Sequence, residues 1–359
     1  MPSRDFDRYP FLVIWETTVA CGLGCLHCRA SARQERDPEE LSTAEALDLV
    51  DQVAELERPL FVLSGGDPMM REDLEQIVRR ARERKLGVAV TASATPRVTR
   101  QRIRALAAAG LQQWAFSLDG PTAEVHDRFR GVPGTFDLTL ERIGWLREEG
   151  LPVQINTVVT RHNLDLLPAM AELVRQLGAV RWEVFTLIPV GRAVSGVEQL
   201  TPEEHERVMA WLVDLGGRVP FAITSTEGPQ VRRIRAQAGA RPDGAGAAGG
   251  RHGRGMPGSP LPVWDGNGFV FVSYRGEVFP SGFLPLETGN VRRERLGAIY
   301  REAPLLRALR RPDGFHGKCG RCEFRRVCGG SRALAWATSG DPLGSDPLCT
   351  YTPAGEEAV

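Results

Sequence analysis

Seven of the 359 residues are cysteines, and they fall into two groups far apart in the chain. The first is Cys21-Gly22-Leu23-Gly24-Cys25-Leu26-His27-Cys28, with three and then two residues between successive cysteines. It places three thiolates, Cys21, Cys25 and Cys28, on a short loop and supplies no fourth, whereas a closed zinc site takes four protein ligands. Around a cube of four irons, three cysteines leave one iron open to another ligand, which is a catalytic position. Taken alone, the triplet also admits unrelated cysteines or a partial zinc knuckle. The second group, Cys319-x-x-Cys322-x5-Cys328 with Cys349 further on, offers four thiolates. By itself that arrangement suits structural zinc about as well as an iron–sulfur cluster. An odd number of cysteines in two groups fits metal ligation better than a disulfide framework.

The triplet must be held by the elements around it. It follows Phe11-Leu12-Val13-Ile14-Trp15, part of the first of six β-rich runs at 11–17, 60–64, 87–92, 113–118, 153–159 and 182–188. Helical patterns follow them at 43–57, 71–84, 99–109, 135–149, 164–177 and 202–215. Ser42 with Glu45 forms a capping box ahead of the Leu47/Val50/Val53 stripe. Thr201-Pro202-Glu203-Glu204 is another, with proline at the first helical position. Gly110, Gly150 and Gly178 stand where left-handed C-caps are expected. Six βα units predict a parallel sheet with right-handed crossovers, and place chemistry at the C-terminal strand ends. The count does not separate an open sheet from a barrel.

After residue 220 the alternation stops. The Gly/Arg/Pro-rich stretch 238–262 has too little apolar surface to offset its ordering entropy and reads as a flexible loop or linker. A hairpin is expected from 269–273 and 277–279 through Tyr274-Arg275-Gly276, then a helix at 296–309 leading into the second cysteine group. The expected domains are 1–217, a connecting segment 218–262, and a small cysteine-rich α+β extension at 263–359.

Composition narrows the partners. Hydrophobic content of 42% and charged content of 25% are ordinary for a globular chain, and the formal net charge is zero. No global field therefore favours nucleic acid or an anionic membrane. No apolar run nears the roughly 20 residues that span a bilayer. Met1-Pro2-Ser3-Arg4-Asp5 lacks the apolar region of a signal peptide, so a cytoplasmic location is expected.

The triplet after the first strand resembles that of the radical S-adenosylmethionine (radical SAM) enzymes. The resemblance implies a partial (β/α)6 barrel of TIM type, with the open iron of a 4Fe–4S cluster chelated by SAM. It also implies reductive cleavage of SAM to a 5′-deoxyadenosyl radical that takes hydrogen from a substrate. Ser64-Gly65-Gly66-Asp67-Pro68 ends the second strand as the family's Gly-Gly-Glu-Pro does, which implies that Gly65, Gly66 and Asp67 meet the methionine ammonium. Aspartate replaces the commoner glutamate there. Ser117 and Asp119 end the fourth strand where the family contacts ribose. Thr91, Asn156 and Leu187 are further candidates at the third, fifth and sixth strands, and His27 is expected to pack near SAM. The second cysteine group resembles the SPASM/twitch extension. Ser281 stands where a full SPASM domain has a further cysteine, which implies one auxiliary 4Fe–4S cluster on Cys319, Cys322, Cys328 and Cys349, acting as an electron acceptor.

Three longer segments, 276–285, 289–292 and 318–333, resemble radical SAM enzymes of the alternative haem and d-type haem pathways. They imply oxidative modification or decarboxylation of a tetrapyrrole propionate. The runner-up is a peptide-modifying SPASM maturase forming thioether, carbon–carbon or epimerised products; such enzymes usually carry a leader-binding domain ahead of the barrel. From another class comes a zinc-stabilised α/β binding protein without redox activity. The expected partners are a tetrapyrrole or peptide substrate and a reductant such as flavodoxin or ferredoxin, with neither nucleic acid nor membrane. Arg251, His252 and Arg254 are candidates for carboxylate or haem-iron contacts.

Overall fold

Strands covered on both faces need apolar residues on one side and a functional lining on the other, and the strand sequences divide in that way. The computed structural model describes residues 5–195, 197–239, 259 and 261–354. Seven parallel strands, β1 (Leu12–Glu16), β2 (Leu60–Ser64), β3 (Gly87–Ala92), β4 (Gln113–Ser117), β5 (Val153–Val159), β6 (Arg181–Thr186) and β7 (Ala222–Thr226), lie side by side in chain order. β8 (Phe269–Val272) pairs parallel with the free edge of β1, and β9 (Glu277–Phe279) and β10 (Gly289–Asn290) add antiparallel strands beyond it. The result is one ten-stranded sheet ordered β10-β9-β8-β1-β2-β3-β4-β5-β6-β7. It curls as a partial barrel.

Helices cover its outer face: α1 (Thr43–Ala54), α2 (Leu74–Glu83), α3 (Arg100–Ala108), α4 (Ala123–Arg130), α5 (Thr135–Glu148), α6 (Leu167–Gln176), α7 (Pro202–Gly216) and α8 (Gln230–Gln237). Both expected capping boxes form, at Ser42/Glu45 and Thr201/Glu204. Because strand side chains alternate, Val13, Trp15, Phe61, Leu63, Trp114 and Phe116 enter the core shared with the helices. Their neighbours Ile14, Val62, Thr91, Ser117 and Asn156 face the cavity inside the curl. The extension carries α9 (Leu296–Glu302), α10 (Pro304–Leu309), α11 (Gly317–Arg321) and α12 (Arg332–Ser339).

Two expectations about these elements change. The segment read as a connection, 218–262, contains β7 and α8, so the barrel sheet runs past residue 217. All five residues of β7 are half-buried, and its Thr224 and Thr226 hydroxyls bond Glu183 on β6, so no apolar alternation marks it as a strand. The helix expected at 296–309 is two helices broken at Ala303, whose ψ of 126° is extended. Pro304 disfavours helical backbone in the residue before it. Arg251, His252 and Arg254 lie outside the described residues. No helix among the described residues is long and apolar enough to cross a membrane.

Candidate active site

The cysteine triplet is anchored by backbone contacts from two sides. After β2, the amides of Gly66 and Asp67 donate to the carbonyls of Thr18 and Ala20 at 2.7 Å each. A Cβ on Gly66 would stand 2.4 Å from the Ala20 carbonyl oxygen, so only glycine allows this approach. On the other side, the amides of Gly24 and Leu26 donate to Arg130 and Phe129 carbonyls at the C-terminal end of α4, 3.1 Å in both cases. That helix stops at Gly131, whose φ of +72° is left-handed and whose Cβ would lie 2.6 Å from the Gly24 carbonyl oxygen.

All three thiols line a cavity of about 1050 Å³ inside the curled sheet. Cys21 Sγ lies 3.7 Å from Ser93 Oγ and accepts from the Leu23 amide at 3.4 Å. Cys28 Sγ accepts from the Ala32 amide at 3.3 Å, and Arg130 Nη1 stands 3.6 Å from Cys25 Sγ. Arg192 braces the loop from below by donating to the Cys25 and Ala32 carbonyls at 2.9 and 2.8 Å. Burial pushes the Cys21 thiol up to about 11. Coordination to iron is what ionises thiols placed in this way. The donor set therefore fits a cluster bound on its cavity side: three thiols, flanking arginines and a wall of close backbone.

Behind Cys25, Arg130 is ion-paired with the buried Asp119. Burial pushes the Asp119 carboxyl upward, and the Arg130 charge opposes that. Asp119 Oδ1 accepts from the Val158 amide at 2.9 Å, and the Asp119 amide donates to His126 Nδ1 at 3.1 Å. Burial, followed by the Arg130 charge, drives His126 down to about 3. His27 stacks on Phe129 with centroids 4.2 Å apart and is also held well below its ordinary value by burial.

His126 thus stays neutral in the folded chain while it protonates near 6.5 in the unfolded one. The unfolded state binds the extra proton, so this group's stability contribution is present above pH 6.5 and is lost as pH falls toward 3. Asp67, raised to about 6 by burial, acts in the opposite sense between its ordinary value and 6. His126→Gln, which keeps an acceptor for the Asp119 amide, is expected to flatten the fall of the thermal midpoint between pH 7 and 5. The removed slope is up to about 1.4 kcal/mol per pH unit. An unchanged slope would show that His126 titrates normally.

Of the residues expected around SAM, Gly65, Gly66, Thr91, Ser117 and Asn156 line the cavity with the triplet, and His27 joins them. Asp67, Asp119 and Leu187 do not. The Asp67 carboxylate accepts from Thr95 Oγ1 at 3.0 Å and the Met69 amide at 3.1 Å, capping the turn after Gly66. Leu187 is 4% exposed, and its carbonyl accepts from Gln199. The cavity also shows residues that no motif marked: Ser93 after β3, Gln154 on β5, Arg181 and Glu183 on β6, and Glu227, Arg232 and Arg235 around α8.

Against known proteins, a profile described as the Radical SAM superfamily matches residues 15–174. An AdoMet-dependent heme synthase of Oleidesulfovibrio alaskensis is 40% identical across 100% of this chain and 92% of that protein. The chain belongs to the radical SAM superfamily. A mycofactocin maturase of Mycobacterium ulcerans is 31% identical over 95% of the chain and 88% of its own length. Among solved structures, Streptococcus suis SuiB bound to S-adenosylmethionine has a TM-score of 0.72 at 14% identity, covering 96% of this chain and 78% of that one. That likeness concerns the fold alone. As a radical SAM protein the chain is a SAM-dependent iron–sulfur enzyme, and its cavity is where that chemistry has room to occur.

The second cysteine group of this radical SAM enzyme lies next to the same cavity. Gly330 and Ser331, just after Cys328, line it. Cys319 Sγ accepts from the Asp346 amide at 3.3 Å and from Arg332 at 3.4 Å, and Cys322 Sγ from the Phe324 amide at 3.4 Å. Arg332 is fully buried, with its guanidinium 4.6 Å from the Phe315 ring centroid. Burial raises the Cys328 and Cys349 thiols to about 12 and 11, and the two are close enough to feel each other's charge. Among the described residues, no three His, Cys, Asp or Glu side chains converge tightly enough for one metal ion. Ser281, at the position of the further SPASM cysteine, is fully buried and accepts from the Phe283 amide at 3.2 Å.

Proposed function

We propose that this enzyme oxidatively modifies propionate side chains of an iron-bearing tetrapyrrole, the decarboxylation of iron-coproporphyrin being the leading case. In this reading Cys21, Cys25 and Cys28 hold the SAM-binding 4Fe–4S cluster, and Cys319, Cys322, Cys328 and Cys349 hold one auxiliary cluster. The bound groups supply a carbon radical that removes hydrogen and a nearby one-electron acceptor. The chain's own work is to orient the substrate between the two and to exclude water. Gly65 and Gly66 bring backbone against the SAM methionine, while Thr91, Ser117 and Asn156 offer polar contacts to its ribose and adenine end. A flavodoxin or ferredoxin in the cytoplasm would supply the reducing electron.

The observation that carries the substrate class is the charge of the cavity wall. Six arginines line it, Arg29, Arg130, Arg181, Arg192, Arg232 and Arg235, against the three acids Glu183, Glu227 and Asp265; behind the wall Arg29 is paired with Glu16 and Arg130 with Asp119. Glu227 is held well above its ordinary value by burial and by the neighbouring Asp265, so it adds little negative charge. A zero-charge chain with an arginine-rich cavity whose wall mixes apolar and polar side chains suits a large flat molecule bearing several carboxylates. Greater similarity to the heme synthases than to the peptide maturases supports the same choice.

Anaerobic incubation of the reduced enzyme with SAM and iron-coproporphyrin is the test. The expected result is a product lighter by the loss of propionate carboxyls, formed together with 5′-deoxyadenosine. No porphyrin turnover, with modification of a co-encoded peptide instead, would replace this reading by the maturase one.

A further inference from the structure

Around α8 the cavity wall has a corner that the cofactors do not account for. Arg232 is half-buried there, with the cavity on its open side. Its Nη2 donates to the Val263 carbonyl, while its Nη1 is enclosed and meets no hydrogen-bond acceptor among the described residues. A buried guanidinium donor without an acceptor is costly, and a charged one more so.

The acids nearby act on it only through space and give its Nη1 no hydrogen bond. Glu183 is committed to β7, with Oε1 accepting from Thr226 at 2.8 Å and Oε2 from Thr224. Glu227 accepts from Ser331 Oγ at 2.5 Å and shares a hydrogen bond with Asp265, whose Oδ2 takes the Ala333 amide at 3.1 Å. Two carboxyls in such contact cannot both ionise, which keeps Glu227 a donor rather than a counter-ion. Glu227 also sits at φ +58°, in the left-handed region that non-glycine residues avoid. A third feature is Arg235, three residues further on the same helix. It lines the cavity too, and its charge repels that of Arg232.

We propose that Arg232 is a specificity-determining residue that receives one substrate carboxylate in the corner formed with Glu227 and Ser331. This rests on the tetrapyrrole-propionate reading and says which residue fixes the substrate's orientation. Ser331 follows Cys328 by three positions, and Arg232 lies within electrostatic reach of the Cys328 sulfur. The anchored carboxylate therefore sits at the second cysteine group, with the rest of the substrate extending toward the triplet across the cavity.

The experiment measures equilibrium binding of iron-coproporphyrin and of its tetramethyl ester to the anaerobically reconstituted full chain. Wild type, Arg232→Gln and Arg232→Lys are compared by the acid-to-ester affinity ratio. Because each ratio is taken within one protein, partial misfolding does not move it. Wild type is expected to favour the acid by at least about tenfold, the scale of a charged hydrogen bond. Arg232→Gln should cut the ratio by about tenfold from its wild-type value, the loss of one charged contact, and Arg232→Lys should restore most of the preference. A wild-type ratio in Arg232→Gln, with tight binding throughout, overturns the role of Arg232 and leaves the substrate reading standing. Failure of wild type to bind either porphyrin overturns both.

Discussion

Cys25→Ala is expected to abolish reductive cleavage of SAM, lowering 5′-deoxyadenosine production by more than about 100-fold, beyond what the loss of a supporting metal contact costs. Cys25 is firmly embedded: it is buried, its sulfur faces Arg130, and its carbonyl is taken by Arg192. Truncating it removes one sulfur from a segment otherwise fixed by backbone bonds to Gly66, Asp67, Phe129 and Arg130, so the fold should survive. Iron should fall from about eight to about four per chain, with absorbance near 400 nm roughly halved. Cys328→Ala is the counterpart. It should lose a similar amount of iron from the other site while leaving the triplet's absorbance. Retained 5′-deoxyadenosine in Cys25→Ala would remove the triplet from the chemistry.

The barrel was legible because its strands and helices obey local rules. Every expected strand from β1 to β6 appears, since each is a short β-branched or aromatic run bounded by a glycine or a capping residue. β7 escaped because its sequence, Ala-Ile-Thr-Ser-Thr, is polar on both sides, and a strand at a barrel's edge with a cavity beside it carries no period-two apolar signal. The parallel pairing of β8 with β1 was equally invisible. Residues about 250 positions apart meet there, and nothing local in Phe269–Val272 distinguishes a strand that closes a sheet from one that only starts a hairpin.

The site divided along the same line. The spacing of Cys21, Cys25 and Cys28 and the Gly65-Gly66 turn are local patterns that can be read from the chain, and they do gather around the cavity. Asp67 and Asp119 were read from resemblance to family motifs at the ends of the second and fourth strands, and in the fold their carboxylates cap a turn and pair with Arg130. The arginine-lined wall had no sequence signal. Among 45 Lys and Arg residues, nothing in the chain order separates Arg232, which faces the cavity, from Arg233, which pairs with Glu206 on the opposite side. The near absence of lysine, which reads as a compositional bias, hides them further.

Arg130 joins the fold and the site, and its replacement should show both. Arg130→Met leaves the Asp119 carboxylate buried without its partner, a loss of about 3–5 kcal/mol. In a chain of this size that corresponds to a fall of roughly 4–7 °C in the thermal midpoint. Asp119→Asn should also destabilise, because Arg130 then faces only Cys25. The double variant Asp119→Asn/Arg130→Met removes both charges at once and should be more stable than the sum of the single losses predicts, by about 1–3 kcal/mol. Simple additivity would mean that the pair contributes nothing through its charges. The same cycle separates stability from chemistry. Arg130 stands 3.6 Å from Cys25 Sγ, so both variants lacking it should lose triplet iron more readily than Asp119→Asn, even at temperatures where all remain folded. Equal iron retention in the three variants would confine Arg130 to holding α4 against β4, with no part in keeping the cysteine loop in position.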